Sequence, residues 1–326
     1  MTVLLTGAAG FIGYHVAMAL LARGDSVVGI DNLNPYYDPA LKRARLARLE
    51  GQPGFAFHEM SIADRLTFGA FAAIRRDVNQ VVHLAAQAGV RHSLEQPFDY
   101  ADANLQGHLA VLELSRRLPR LDHLVYASSS SVYGANDKLP FSTKDRTDRP
   151  ISLYGATKKA GEMMTASYSH LYRLKATGLR FFTVYGPWGR PDMSAWLFTR
   201  AILEGRPIPV FNRGDMRRDF TYIDDIVAGV LAALDRPPED DGKEPPHRLY
   251  NLGNSRSEEL LRFIQLIEAA VGRQAILDHR PIQPGDVKDT FADIKASRRD
   301  LGFEPKTTID DGVPRFVAWY RDYHRL

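Results

Sequence analysis

The stretch Gly7-Ala8-Ala9-Gly10-Phe11-Ile12-Gly13 follows an apolar run, residues 2–5, and precedes a helix predicted to reach Arg23. Glycines at such a turn let the backbone bend sharply, so its N–H groups can reach a pyrophosphate at the N-terminus of the helix. The next apolar run, residues 26–30, ends at Asp31, where a carboxylate can bind the hydroxyls of an adenosine ribose. Because a carboxylate there repels a 2′-phosphate, the pattern predicts NAD rather than NADP.

The alternation of apolar runs and helical stretches continues to Phe182. Strands are predicted near residues 55–57, 81–84, 123–127 and 177–182, and longer helices over residues 100–118 and 154–172. Repeated βα units predict an α/β fold with a doubly wound parallel Rossmann sheet that carries helices on both faces.

A Gly/Pro-rich loop over residues 183–191 marks the predicted domain boundary. We therefore expect an NAD-binding domain over residues 1–185 and a smaller α/β C-terminal substrate-binding domain over residues 186–326. Part of the segment 215–255 is expected to return to the first domain.

The composition argues against several classes of function. The 326 residues carry 42 Lys and Arg against 39 Asp and Glu, and a net charge of +3 is too small to indicate a nucleic-acid partner. The densest basic run, residues 42–48, alternates with Leu and Ala and is interpreted as the solvated face of a helix. The chain has no cysteine, which excludes disulfides and thiolate chemistry, and its scattered histidines predict no metal site.

No stretch of the sequence resembles a signal peptide or a transmembrane helix. The longest apolar run near the first strand, Val16 to Ala22, is far too short to span a bilayer. We therefore expect a cytoplasmic protein with no membrane partner.

Tyr154 and Lys158 stand four residues apart in a predicted helix, so both side chains lie on one face, one turn apart. A nearby ammonium favours the phenolate and lowers the pKa of a tyrosine, which otherwise titrates near 10. Such a tyrosine can take a proton from a sugar hydroxyl and return it. The serines 128–131 follow the predicted strand 124–127, at the sheet edge where open α/β folds bind ligands. The combination predicts a catalytic site, although the Tyr/Lys pair alone would not.

These features together resemble a known group of enzymes. The spacing G-x-x-G-x-x-G is the form found in short-chain dehydrogenase/reductases, and Asp31, residues 83–87, Ser129, Tyr154 and Lys158 resemble the extended members that act on nucleotide sugars. Within that group the chain resembles UDP-glucuronate 4-epimerases over nearly its whole length. The longest similar stretches are residues 29–34, 85–91, 181–193, 220–225 and 283–287.

The resemblance implies a role for each matching residue. Ser129, Tyr154 and Lys158 would be the catalytic set. The expected NAD contacts are Gly7, Gly10, Phe11, Ile12, Gly13, Asp31, Asn32, Ser61, Ile62, Leu84, Ala85, Ala86, Asn104, Tyr154, Lys158 and Phe182. The expected substrate contacts are Ser129, Ser130, Ser131, Thr183 and Arg190 for the sugar acid, Phe211 and Arg218 for the uridine diphosphate, and Asp286 for its ribose. Ser61 is a departure, because relatives usually carry an aspartate there to bind the adenine amine.

The implied reaction is 4-epimerisation of a UDP-sugar acid, UDP-glucuronate, through a 4-keto intermediate, with Tyr154 as the base and tightly bound NAD as the hydride carrier. Relatives that decarboxylate or dehydrate carry a glutamate in the loop occupied here by Ser129–Ser131, so the absence of an acid argues against both reactions. The alternatives are a UDP-glucose/UDP-galactose 4-epimerase, which typically has asparagine in place of Thr183, a UDP-glucuronate decarboxylase, and a catalytically silent NAD-binding regulator.

The resemblance also implies a homodimer. Relatives pair the helices that correspond to residues 100–118 and 154–172 across a two-fold axis, and the second helix carries Met163, Met164 and Leu171 beside its reactive face.

Overall fold

The protein is described by a computed structural model that covers residues 1–282 and 287–326. Its strands are β1 Thr2–Thr6, β2 Ser26–Asp31, β3 Phe55–Glu59, β4 Gln80–His83, β5 His123–Ser129, β6 Ala176–Phe181, β7 Thr183–Tyr185, β8 Pro207–Val210, β9 Arg217–Arg218, β10 Phe220–Tyr222, β11 His247–Leu252, β12 Glu258–Glu259 and β13 Ile276–His279. Its helices are α1 Phe11–Ala22, α2 Pro39–Glu50, α3 Arg65–Ile74, α4 His92–Glu95, α5 Pro97–Tyr100, α6 Gly107–Ser115, α7 Leu153–Tyr172, α8 Ser194–Glu204, α9 Ile223–Leu234, α10 Leu260–Val271, α11 Lys295–Leu301 and α12 Ile309–His324.

The central sheet has seven strands in the order β11-β6-β5-β4-β1-β2-β3, and every neighbouring pair is parallel. Both faces are buried. Val3 and Leu5 of β1 pack into the cluster that includes α1 and α9, whereas Leu4 packs with α3 and α6 on the opposite face. A strand covered on both faces needs apolar residues at consecutive positions, which is why these strands appear as unbroken apolar runs. The predicted doubly wound parallel sheet is confirmed.

The segment 217–222 forms two short strands that belong to different sheets. β9 pairs with β12, whereas β10 pairs with β7. Asp219 stands between them with its side chain fully buried, where it accepts hydrogen bonds from the backbone N–H groups of Asn254 (2.6 Å) and Ala292 (3.0 Å). A residue turned inward to these backbone donors interrupts the ladder and divides the strand.

The C-terminal part of the chain adds a second layer beside the sheet. β8 pairs with β13, and α10 packs against α8 and α12. β11 leaves this region and pairs with β6 at the edge of the central sheet. The division of the chain into domains at residue 185 stays a prediction.

The basic run 42–48 is only partly solvated, so its interpretation as a solvated helix face is wrong for two residues. Arg43 and Arg48 of α2 are exposed, but Lys42 and Arg45 are buried. The guanidinium of Arg45 donates hydrogen bonds to the carbonyl of Ala9 (3.0 Å) and to the backbone of the loop after β7. These bonds satisfy a buried charge and attach α2 to the glycine turn.

Over residues 1–282 and 287–326, no helix is both long and apolar enough to cross a membrane. Within the same ranges no cluster of three or more His, Asp or Glu side chains could hold a metal ion.

Candidate active site

The turn between β1 and α1 has room only for glycine at two positions. Gly7 has a φ of +77°, and a Cβ there would stand 2.7 Å from the backbone nitrogen of Ala85. A Cβ on Gly13 would stand 2.0 Å from the carbonyl oxygen of Gly7. The turn therefore lies close to the loop that follows β4, and Gly10 caps the N-terminus of α1. Backbone N–H groups at a helix N-terminus form a binding site for a pyrophosphate.

Asp31 lies at the carboxyl end of β2, beside this turn. Its carboxylate accepts hydrogen bonds from the backbone N–H groups of Ala9 (3.2 Å) and Leu33 (2.9 Å), which fix its position. The Nζ of buried Lys42 lies 3.8 Å from the same carboxylate and donates to Asn34 at 2.6 Å. Lys42 was not predicted as a site residue, because a lysine in a basic run gives no local signal that its helix packs over Asp31.

A cavity extends along the carboxyl edge of the sheet from this turn to α7. It is lined by all but one of the predicted NAD residues: Gly7, Gly10, Phe11, Ile12, Gly13, Asp31, Asn32, Ser61, Ile62, Leu84, Ala85, Ala86, Tyr154, Lys158 and Phe182. The exception is Asn104, which is buried behind the wall of the cavity. Its carboxamide accepts from the N–H of Gln87 (2.8 Å) and donates to the carbonyl of Gln87 (3.0 Å).

Asn104 takes this position because the predicted helix 100–118 is not a continuous α-helix. Residues Ala101–Gln106 form a π-helical turn, and α6 begins only after it. Such turns are rare and often lie at functional sites. The structure therefore places Asn104 as a support of the loop after β4. A direct contact with NAD stays a prediction.

The catalytic set predicted from sequence lies where β5 and α7 meet. β5 ends at Ser129. Ser152 is the N-cap of α7, and its hydroxyl accepts a hydrogen bond from the N–H of Gly155 (3.0 Å). The helix places Tyr154 and Lys158 against the end of β5. The Nζ of Lys158 donates to the carbonyl of Ala127 at 3.0 Å. Tyr154 and Ser129 thus share one corner of the site.

The electrostatics of this corner differ from the expectation. Burial raises the pKa of Tyr154 above its ordinary value, and the hydrogen bond with Ser129 and the charge of Arg190 lower it only in part. Lys158 is not among the groups that shift the pKa of Tyr154 in this structure, and its ammonium donates to the carbonyl of Ala127. Its expected effect on the pKa of Tyr154 stays a prediction. Burial also lowers the pKa of Lys158, to about 8.

A second cavity of about 900 Å³ opens on the other side of Tyr154. Its volume lies at the upper end of the range of ligand pockets. Its walls include the predicted substrate residues Ser129, Ser130, Ser131, Thr183, Arg190, Phe211 and Arg218. Asp286, the remaining predicted contact, lies outside the described residues. Tyr154, Ser129, Arg190 and Tyr36 line both cavities.

Arg190, an expected contact of the sugar acid, already forms an ion pair with Asp192 in its own loop. Its Nε and Nη2 donate to the two carboxylate oxygens of Asp192, at 3.0 and 2.5 Å. The hydroxyl of Tyr36 donates to the same carboxylate at 2.9 Å. Burial acts to lower the pKa of Arg190, but the charge of Asp192 outweighs it and raises that pKa. Asp192 lies in the similar stretch 181–193 but was given no role, and Tyr36 lies outside every similar stretch, so neither was predicted as a site residue.

Known proteins with similar sequences and structures include epimerases of nucleotide sugars. The chain is 45% identical to a probable UDP-glucuronate 4-epimerase of Rhizobium meliloti (strain 1021), over 100% of this chain and 98% of the relative. A crystal structure of a UDP-glucuronic acid 4-epimerase from Bacillus cereus, with UDP-glucuronic acid and NAD, matches 99% of this chain and 100% of that chain, with a TM-score of 0.90 and 33% identity.

A UDP-glucose 4-epimerase from Thermotoga maritima, with UDP-glucose, matches with a TM-score of 0.88 and 30% identity, over 99% of this chain and 100% of that chain. The overall fold is thus shared by proteins of both substrate classes. The sequence pattern of the NAD dependent epimerase/dehydratase family matches residues 3–253. With the glycine turn, Asp31 and the Tyr154 helix in place within these residues, the chain belongs to the NAD dependent epimerase/dehydratase family.

Proposed function

We propose that this protein is an isomerase that interconverts UDP-glucuronate and UDP-galacturonate at C4 with the help of NAD. One observation carries the proposal: Tyr154 and Ser129 line both the dinucleotide cavity and the second cavity. A sugar held in the second cavity therefore presents its reacting hydroxyl to Tyr154 while facing a dinucleotide held in the first.

The residues of the chain supply the proton chemistry. Tyr154, as phenolate, takes the proton from O4 of the sugar and later returns it. Ser129 hydrogen-bonds the same oxygen, and Lys158 binds the nicotinamide ribose. When bound, NAD supplies a hydride acceptor that returns the hydride to C4 in the second half-reaction. Between the two halves the 4-keto sugar must turn its other face, for which the second cavity leaves space.

The charges around the second cavity favour an acidic sugar. Arg190 lines the cavity close enough to Tyr154 to lower its pKa, and arginine binds carboxylates with parallel hydrogen bonds. Thr183 adds a small neutral donor at the same wall. The loop Ser129–Ser131 offers no second acid or base, which argues against dehydration and decarboxylation.

A single incubation tests the proposal. Purified protein is mixed with UDP-glucuronate, with no NAD added, and the products are followed by NMR. Formation of UDP-galacturonate by the wild type and its loss in Tyr154→Phe are expected, because the ring remains but the proton acceptor is gone. Loss of a general base typically costs about 10²–10⁴-fold in rate. Full activity in Tyr154→Phe would contradict the assigned role.

The alternative substrate pair, UDP-glucose and UDP-galactose, is supported by the similarity to the Thermotoga maritima enzyme. The variant Arg190→Ala distinguishes the acidic substrate pair from the neutral one. If Arg190 binds the sugar carboxylate, this variant loses much more activity on UDP-glucuronate than on UDP-glucose, for which only the effect of its charge on Tyr154 is lost. Equal loss of both activities, or a wild-type preference for UDP-glucose, would contradict the assignment to an acidic sugar.

A homodimer is the proposed assembly. Met163 and Leu171 of α7 are each 63% exposed, and Leu109 of α6 and Tyr172 of α7 add to the same apolar surface, whereas Met164 packs inward. Exposed apolar side chains on two neighbouring helices fit an isologous interface. A monomer in light scattering at micromolar concentration would contradict the dimer. The cytoplasmic location stays a prediction.

A further inference from the structure

Three loops meet around the ion pair between Arg190 and Asp192. Arg190 and Asp192 lie in the loop after β7, and Tyr36, which donates to Asp192, lies in the loop after β2. The hydroxyl of Tyr36 also reaches the loop after β4, since a Cβ on Gly89 would stand 2.4 Å from it. The Tyr36 ring packs against that of His92, with centroids 4.7 Å apart.

This arrangement fixes one edge of the Arg190 guanidinium. A guanidinium has five N–H donors in a rigid plane, and Asp192 takes the edge formed by Nε and Nη2. The Nε and Nη2 of Arg190 donate to Asp192, and the hydroxyl of Tyr36 lies beside the same guanidinium. The side chains of Arg190 and Asp192 are 23% and 27% exposed, so the pair is largely shielded from water. A guanidinium held along one edge offers its other edge in a single orientation.

We propose that Asp192 and Tyr36 are positioning residues that hold Arg190 so that the carboxylate of the 4-keto intermediate cannot rotate into the orientation that loses CO₂. The inference rests on the proposed function, because it assumes that the sugar held in the second cavity is an acid. In this proposal Asp192 does not strengthen substrate binding. A second carboxylate beside Arg190 weakens the attraction of its guanidinium for the substrate carboxylate.

The chemistry defines what must be prevented. The 4-keto intermediate is a β-keto acid. Loss of CO₂ breaks the bond between C5 and the carboxylate carbon, and the electron pair enters an enolate over C5, C4 and O4. C5 then takes a proton from water. The hydride removed from C4 either returns to C4, which gives a UDP-pentose, or stays on the cofactor when the 4-keto-pentose is released, one equivalent for each molecule released. The step requires the breaking bond to align with the carbonyl π system. An arginine free to follow the carboxylate would permit this rotation, whereas one fixed by Asp192 opposes it.

Asp192→Asn tests the inference with product composition as the readout. The variant keeps the shape of the side chain and removes the charge that fixes Arg190. We expect the ratio of decarboxylated products, UDP-4-keto-pentose and UDP-pentose together, to UDP-galacturonate to rise on the order of tenfold, the effect of one lost charge-assisted hydrogen bond. The products are measured by NMR. The KM for UDP-glucuronate is not expected to rise. Tyr36→Phe is expected to shift the ratio in the same direction by less.

The matched control is Tyr250→Phe, which removes another tyrosine hydroxyl that donates to a carboxylate, here Asp300 at 3.2 Å, away from both cavities. It is expected to leave the product ratio unchanged. If Asp192→Asn does not fold, Tyr36→Phe alone decides the question. A wild-type product ratio in the folded variants, with normal epimerisation by the wild type, overturns this inference only. Failure of the wild type to convert UDP-glucuronate overturns the proposed function and this inference with it.

Discussion

The Ser129 hydroxyl, which lowers the pKa of Tyr154, predicts a displaced pH profile for Ser129→Ala. Burial raises the pKa of Tyr154, and among the groups that lower it the Ser129 hydroxyl has the largest effect. Tyr154 can act as a base only when it is deprotonated. Removing the serine hydroxyl therefore raises the pKa of Tyr154 and moves the onset of activity to higher pH.

The size of the displacement follows from the charge on the acceptor. A hydrogen bond to a charged group contributes roughly 1.5–3 kcal/mol, and one pKa unit corresponds to about 1.36 kcal/mol. The rising limb of the profile should therefore move up by about one to two pH units in Ser129→Ala. The height of the plateau should also fall, because Ser129 is expected to bind the reacting oxygen.

The assay is the rate of conversion of UDP-glucuronate as a function of pH, fitted as kcat/KM for wild type and variant. Ser169→Ala is a matched control. Ser169 is buried on the same helix as Tyr154, and within the described part of the chain its hydroxyl has no hydrogen-bond partner. The rising limb of the pH profile of Ser169→Ala should coincide with that of the wild type. A rising limb in Ser129→Ala that stays in place, or moves to lower pH, would refute the reasoning.

Three further predictions concern the cofactor site and the framework behind Tyr154. Lys42→Met should weaken NAD binding on the order of tenfold, because the charge beside Asp31 is lost. Calorimetry would detect the change, and the exposed neighbour substitution Arg43→Met should have little effect. Gly13→Ala should yield protein that purifies without NAD, since its Cβ would stand 2.0 Å from the carbonyl of Gly7, whereas Gly69→Ala meets no atom within 4 Å and should retain the cofactor. Glu162→Gln breaks a buried ion pair with Arg180 (2.8 Å, side chains 2% and 1% exposed) and should lower the free energy of unfolding by about 3–5 kcal/mol. Chemical denaturation would measure this loss, and Glu113→Gln, which breaks an exposed pair with Arg116, should lower it by at most about 1 kcal/mol.

Local chemistry explains why so much of the site could be predicted from the sequence. At Gly13 the close contact is with the carbonyl of Gly7 in the same turn, and Gly7 has a positive φ that glycine adopts without strain. The apolar runs predicted strands because each strand is buried on both faces. Tyr154 and Lys158 could be placed on one face from helical periodicity alone. These features depend on backbone geometry that short stretches of sequence determine.

Other features depend on contacts between segments far apart in the chain. Lys42 and Arg45 were interpreted as solvated, but they are buried because α2 packs over the glycine turn and the loop after β7. The inward position of Asp219 depends on backbone N–H groups of residues 254 and 292, which donate to its carboxylate. No periodicity carries such information, because the partners are supplied by other loops.

The sequence by itself determined the parallel sheet, the NAD site and the Tyr154 helix. Only the tertiary structure decided the electrostatic state of that site. Burial, which is a property of the assembled fold, raises the pKa of Tyr154 and lowers that of Lys158. The pairing of Arg190 with Asp192 and Tyr36 likewise requires the loops after β2 and β7 to meet at one edge of the sheet. Charge interactions act through space, so their balance is set only when the fold has placed every partner and excluded the water between them.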